Sequence, residues 1–270
     1  MFSGSCDDGL VPVHRVALTG FGSTAELYEE ARPGYPDKAV AWLIDQLRIG
    51  PGSRVVDLAA GTGKLTRMLM DSRATVIAVE PIEAMRALLA NTSPGSLAVG
   101  GEAEALPLRS GSVDALTIAQ AFHWIDTPPT HAELARVIRP GGRLGIVWNA
   151  RDRSVPWVDA VWSIMDRVEK HAPWRNHEAI SEAGRQLPGF SPFRSERFVL
   201  DHVITPDLLI ARLASVSHVA VLAEGARQAV LREVRQILAT HPDTRERQAL
   251  QVAYRTDCFV ADRVGGGKVG

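Results

Sequence analysis

The stretch that decides the fold is "RVVDLAAGTGKLTRML", Arg54–Leu69. A short apolar run closes on an acid, a small-residue turn follows, and Leu65, Met68 and Leu69 then recur at helical spacing. Chains use a strand, a tight turn and a helix start in this order to bring backbone close to a ligand.

Working outward, the same alternation repeats. Residues 74–80, "ATVIAVE", read as a second continuous apolar strand, and residues 82–90 as a helix through Met85, Leu88 and Leu89. Residues 96–100 and 113–120 read as third and fourth strands. Residues 130–138 read as a helix opened by Thr130 and Glu133 in capping-box spacing, stopped by "RPGG" and followed by a fifth strand at 143–149. Continuous apolar strands separated by helices predict a parallel sheet covered on both faces. The later half adds helices at 156–170, 206–216 and 226–239 and strands at 194–204 and 250–264. The expected fold is α/β: a doubly wound, mostly parallel seven-stranded sheet, with an antiparallel last strand and a helical cap. Residues 1–20 read as an N-terminal extension, 21–150 as a ligand-binding core preceded by a lid helix, and 151–270 as the part that completes the sheet and caps the second site. "GGGKVG" reads as a frayed end.

Bulk properties narrow the classes. The chain has 270 residues, 46% apolar and 23% charged, with a formal net charge of −1, so no global field attracts nucleic acid. No window reaches the roughly 18 apolar residues of a membrane span, and "MFSGSCDDGL" lacks the basic and apolar regions of a signal peptide. Cys6 and Cys258 form no CxxC pair, and the histidines have no metal-ligand spacing, so neither disulfide nor metal is expected and the cytoplasm is the default location.

Three ligands compete for the loop. A P-loop needs glycine where Leu58 stands and a hydroxyl where Leu65 stands. A dinucleotide fingerprint needs a third glycine where Thr66 stands. An acid closing the first strand (Asp57), the loop Gly61-Thr62-Gly63, and an acid closing the second strand (Glu80) instead describe an S-adenosylmethionine site. The glycines there allow backbone approach, and Glu80 can accept bonds from ribose hydroxyls. Taken singly, Asp57 is equally read as a cap of local amides and Glu80 as a solvated strand end.

At these residues the chain resembles the class I S-adenosylmethionine-dependent methyltransferases, in particular their type 11 small-molecule branch. "VVDLAAGTGKLT", "VIAVEPIEAMRALL", "GEAEALPLRSGSVDALTIAQAFHW" and "ARVIRPGGRLGIVWN" carry the resemblance in turn. "FGSTAELYEEARPGYP" is similar to the segment before the core in a trans-aconitate methyltransferase-like subgroup. Ala59 stands where the family often has glycine, and alanine is compatible with a backbone that keeps negative φ.

The resemblance implies cofactor contacts for Asp57, Gly61 and Gly63 at the methionine tail, for Thr62 in the same loop, and for Glu80 at the ribose. It implies Pro81 and Ile82 beside the adenine, Glu102 with the Ala103 amide at its ring edge, and Gln120 and Ala121 near the sulfonium. Tyr28 and Arg32 would belong to a helix folding over the cofactor, Tyr28 being otherwise a packing residue. His123, in "AFHW", is the candidate base or acceptor-orienting group, or else a histidine bonded to backbone. Trp124, Trp148, Asn149 and Trp157 are candidate pocket walls, Trp157 and Trp162 being equally readable as core. The tetrapeptide Gln120-Ala121-Phe122-His123 replaces the Asn/Asp-Pro-Pro-Tyr/Phe of many amino-methylating enzymes, and no Pro-Cys pair is present. The expected acceptor is a small organic molecule, through oxygen (carboxylate or hydroxyl), with carbon methylation open. A nicotinamide-dependent dehydrogenase and a non-catalytic ligand-binding protein are the competing classes.

Overall fold

β1 (Arg54–Leu58) is buried at four successive positions, Val55 to Leu58, and successive side chains of a strand point to opposite faces, so both faces must be covered. In the computed structural model, which describes residues 25–169 and 186–265, they are. Val55 packs with Val40, Leu43 and Leu47 of α2 (Asp37–Leu47) and with Leu65 and Leu69 of α3 (Lys64–Met70). Val56 and Leu58 pack on the other face with Phe122 of α5 (Phe122–Ile125) and with Leu134 and Val137 of α6 (Pro128–Val137). Each fully buried leucine of this kind contributes about 1.5–3 kcal/mol.

A lid helix, α1 (Ala25–Ala31), precedes this core. The remaining elements are β2 (Thr75–Val79), α4 (Glu83–Thr92), β3 (Leu97–Val99), β4 (Val113–Ala119), β5 (Ile138–Arg151), α7 (Pro156–Glu169), β6 (Arg194–Ile204), α8 (Pro206–Ala214), α9 (Ser217–Ala220), α10 (Glu224–Thr240) and β7 (Leu250–Asp262). One seven-stranded sheet runs β3-β2-β1-β4-β5-β7-β6. β1 pairs in parallel with both β2 and β4, with Asp57 opposite Ala78 on one side and Thr117 on the other. β7 alone is reversed, antiparallel to β5 and β6. The chain moves outward from β1 to β3 and then returns to the other side of β1, which opens a crevice at the carboxyl ends of β1 and β4.

Three local expectations are corrected. α6 begins at Pro128, with Thr127 as N-cap accepting from the Thr130 amide. Thr130 therefore lies inside the helix, and Glu133 bonds Arg136 and the Leu106 amide instead of closing a capping box. Two prolines in the first turn, each lacking an N–H, move the start a few residues toward the N-terminus. "RPGG" does not separate helix from strand, because Ile138 is already extended and β5 runs through the turn with a register shift against β4. Trp157 and Trp162 are both 4% exposed in a second core with Leu209, Leu213 and Leu231. The core reading holds for both, and Trp157 is not a pocket wall.

The N-terminal extension, Cys6 and all but Gly265 of the C-terminal "GGGKVG" lie outside the described residues. Among the described residues no helix is long and apolar enough to cross a membrane.

Candidate cofactor and acceptor site

The loop after β1 folds back on the end of β2. The Ala60 amide donates to Val79 O at 3.2 Å, and the Glu80 carboxylate accepts from the Gly61 amide at 2.8 Å and the Ile82 amide at 2.9 Å. Glu80 is 3% exposed; burial is the main influence and raises its pKa, while the two amide bonds pull it back. Gly61 has φ +59, and a Cβ placed there would point into open space, meeting only Tyr28 Cε1 at 4.0 Å. That is a cradle a ligand backbone can enter and a side chain would fill.

Gly63, also left-handed at φ +87, does something else. A Cβ there would collide with Ser93 Oγ at 2.5 Å and Leu89 Cγ at 3.0 Å. Its missing side chain lets the loop pack on α4, so it lies off the cavity wall. Asp57 is likewise beneath the loop, accepting from Thr66 Oγ1 at 2.6 Å and Thr117 Oγ1 at 3.1 Å. Burial pushes its pKa up to about 6 against those hydroxyl bonds. Its carboxylate supports the loop from below.

Ala59 corrects an expectation directly: its φ is +54, not negative. Gln120, at the end of the adjacent β4, has φ +58. Two non-glycine residues in the left-handed region, side by side at the strand ends, cost about 1–2 kcal/mol each, and such strain gathers at ligand clamps.

The crevice has two connected lobes that share Tyr28, Ala59, Gly61, Ala119, Gln120 and Trp124 as walls. The first lobe is completed by Glu80, Pro81, Ile82, Met85, Ala103 and Ala121. Glu102 is exposed and outside this wall, while its neighbour Ala103 is inside it. The second lobe holds Thr62, Arg32, His123, Trp148 and Asn149. His123 stacks obliquely on Trp124 at 4.7 Å and meets Trp148 edge-on at 5.0 Å. Asn149 reaches the lobe, but its amide is committed: Nδ2 donates to Gly34 O at 2.8 Å and Oδ1 accepts from Thr256 Oγ1 at 2.6 Å. Asn149 thereby ties β5 to β7 and to the segment behind α1.

α1 is held over the loop by one acid. Glu29 accepts from Thr62 Oγ1 and Arg67 Nη2, and Lys64 Nζ lies 3.5 Å from its carboxylate. Arg32 stands with its guanidinium carbon 4.8 Å from the Tyr28 ring centre. Its Nε is sealed from water without a partner among the described residues, and burial draws its pKa down. One face of Tyr28 is thus already occupied by a cation.

Several lining residues escape the sequence reading because they come from late elements: Arg212 on α8, Tyr254 on β7, Val216 just before α9 and His218 within it. The available signal was an arginine inside the apolar stretch "LLIARLASV". Among the described residues no three His, Cys, Asp or Glu side chains gather as a metal site.

A sheet in this order, with one reversed strand and its crevice at the switch point, is the architecture of Rossmann-like methyltransferases. A family profile described as "Methyltransferase domain" matches residues 56–146. An uncharacterized methyltransferase of Mycobacterium tuberculosis is 39% identical over 241 residues, covering 89% of this chain and 94% of that one. The chain belongs to the class I S-adenosylmethionine-dependent methyltransferases, and the dehydrogenase reading falls. A solved structure from Anaeromyxobacter dehalogenans, described as a candidate type II methyltransferase, is similar with a TM-score of 0.64 and 26% identity over 86% of this chain and 98% of that one. Phosphoethanolamine N-methyltransferase 2 of Haemonchus contortus, solved with S-adenosyl-L-methionine, shares the fold with a TM-score of 0.58 and 16% identity over 95% of this chain and 61% of that one.

Proposed function

We propose that the protein methylates a small organic acceptor, through oxygen, with the cofactor held across both lobes and the acceptor admitted beside His123. The observation that supports this most is the shared wall: one lobe ends on the buried acid Glu80, the other on His123 and Trp148, with Gly61 and Gln120 between them. The residues fit the cofactor. Glu80 has lone pairs left for ribose hydroxyls, Pro81, Ile82 and Met85 offer an apolar slot for a base, and Gly61 leaves room for the methionine tail, whose carboxylate the unpartnered Arg32 suits.

When bound, the cofactor supplies a methyl group already activated on a sulfonium, so the protein's task is position and exclusion of water. α1, clamped through Glu29, covers the loop. Trp124 and Trp148 fix the His123 ring from two sides. His123 takes the proton of a hydroxyl acceptor; a carboxylate acceptor brings none. In this reading residues 21–150 hold the cofactor and 151–270 complete the sheet and cap the acceptor lobe. Placement in a trans-aconitate methyltransferase-like subgroup rests on the segment 21–36 and is part of the proposal.

The test is a screen for S-adenosylhomocysteine release across phenols, alcohols, carboxylic acids and amines. Turnover with oxygen acceptors supports the reading, and turnover confined to amines overturns the oxygen preference.

A further inference from the structure

Arg212 is 3% exposed, sits on α8 and lines the second lobe. Its Nη1 donates to the Tyr254 hydroxyl, and its guanidinium carbon stands 5.6 Å from the centre of the Tyr254 ring. No carboxylate among the described residues pairs with it. The charged and titratable groups around Arg32 and Arg212 are each other, Tyr28, Tyr35, Tyr254 and His202, with Lys64 beside His202, and none of these is a carboxylate. Elsewhere the pattern is the reverse: Arg153, Arg194 and Arg197, all with access to water, each hold an aspartate.

A guanidinium stays charged in a protein, and burying it unpaired is costly. Two such groups in one cavity, with no carboxylate partner among the described residues, call for a counter-charge from a ligand. Arg32 directly follows the lid helix and is accounted for by the cofactor's own carboxylate. Arg212 comes from α8, an element that follows the methyltransferase core and packs against the lid helix, and it has no carboxylate partner among the described residues.

We propose that Arg212 is the anion-reading residue of the acceptor lobe, so that the acceptor carries a carboxylate or phosphate group that pairs with its guanidinium. Tyr254 fixes the guanidinium through Nη1 and leaves the other nitrogens for a two-point contact with the anion. The inference rests on reading this lobe as the acceptor site.

The experiment uses the whole chain saturated with S-adenosylhomocysteine, titrated calorimetrically with benzoate, phenyl phosphate and benzamide. At least one anion is expected to bind about tenfold or more tightly than the uncharged amide, and the better anion separates carboxylate from phosphate. Arg212→Gln is expected to erase that preference while S-adenosylhomocysteine affinity stays within about threefold, and Arg212→Lys to keep part of it. Equal binding of all three probes, or no binding of either anion, overturns the proposal on the wild-type chain alone, whatever the variants do. A loss of S-adenosylhomocysteine affinity in Arg212→Gln as large as in Arg32→Gln overturns it too, by moving Arg212 to the cofactor tail. Failure of the wild-type chain to bind S-adenosylhomocysteine would overturn the proposed function, and this inference with it.

Discussion

Glu80 Oε2 accepts the backbone N–H of Gly61 at 2.8 Å. The acid at the end of β2 therefore shapes the loop at the end of β1, and both reach the cavity as one unit. Gly61 holds φ +59 with open space where a side chain would stand. Gly61→Val is expected to abolish S-adenosylhomocysteine binding, because a β-branched residue is strained at that φ and its methyls occupy the cradle. Normal affinity in a folded variant, read by calorimetry, would show that the loop is not the binding surface.

Asp57 gives a pH signature. Its carboxyl is raised from 3.8 to about 6 in the folded protein, so the folded state keeps a proton that the unfolded chain has lost. Stability is therefore fullest below the unfolded value, falls as pH rises between about 4 and 6, and is level above. The size is on the order of 3 kcal/mol. Denaturant melts across this range should show the fall in the wild type and a flatter profile in Asp57→Asn. Identical profiles would remove Asp57 as its source.

Glu29 is the clamp of the lid. Its contacts to Thr62, Lys64 and Arg67 are partly exposed, so each ion pair is worth only about 0–1 kcal/mol and is weakened by salt. Glu29→Gln should change the melting temperature little but speed cofactor dissociation several-fold, with a smaller salt dependence than the wild type. Stopped-flow release rates that match the wild type at low and high salt would mean that α1 is held by other contacts.

How much of this was legible depends on which force speaks. The parallel strands β1, β2 and β4 announce themselves as continuous apolar runs because both faces are buried, and the acid after β2, Glu80, marks the crevice. α2 was not assigned, although Ala39, Val40, Leu43 and Leu47 lie on its buried face. Gly63 and Asp57 look like ligand contacts in sequence but act one layer below. Spacing shows that the loop is tight, not which way each residue faces. The left-handed φ of Ala59 was invisible, since tertiary packing overrides the local preference of alanine. Arg212 and Tyr254 enter the cavity only through β7 and α8, 42 residues apart in sequence, and no local pattern brings them together.

His123 is the candidate base between Trp124 and Trp148. With a hydroxyl acceptor, His123→Ala should lower turnover about 10²–10⁴-fold while cofactor affinity stays within a few-fold. A loss of cofactor affinity instead would put His123 on the nucleotide side. Unchanged turnover on a hydroxyl acceptor would remove it from proton transfer.

The central claim is that one buried carboxylate both shapes the loop and receives the cofactor's ribose. Calorimetric titration of S-adenosylhomocysteine into Glu80→Gln tests it most directly, since glutamine keeps the length of the side chain, loses the charge, and can accept from only one of the Gly61 and Ile82 amides. Charge-assisted bonds of about 1.5–3 kcal/mol each predict a rise in Kd of at least about tenfold, with the melting temperature of the unliganded protein lowered by a few degrees because one loop amide loses its acceptor. An affinity equal to wild type in that folded variant would contradict the account.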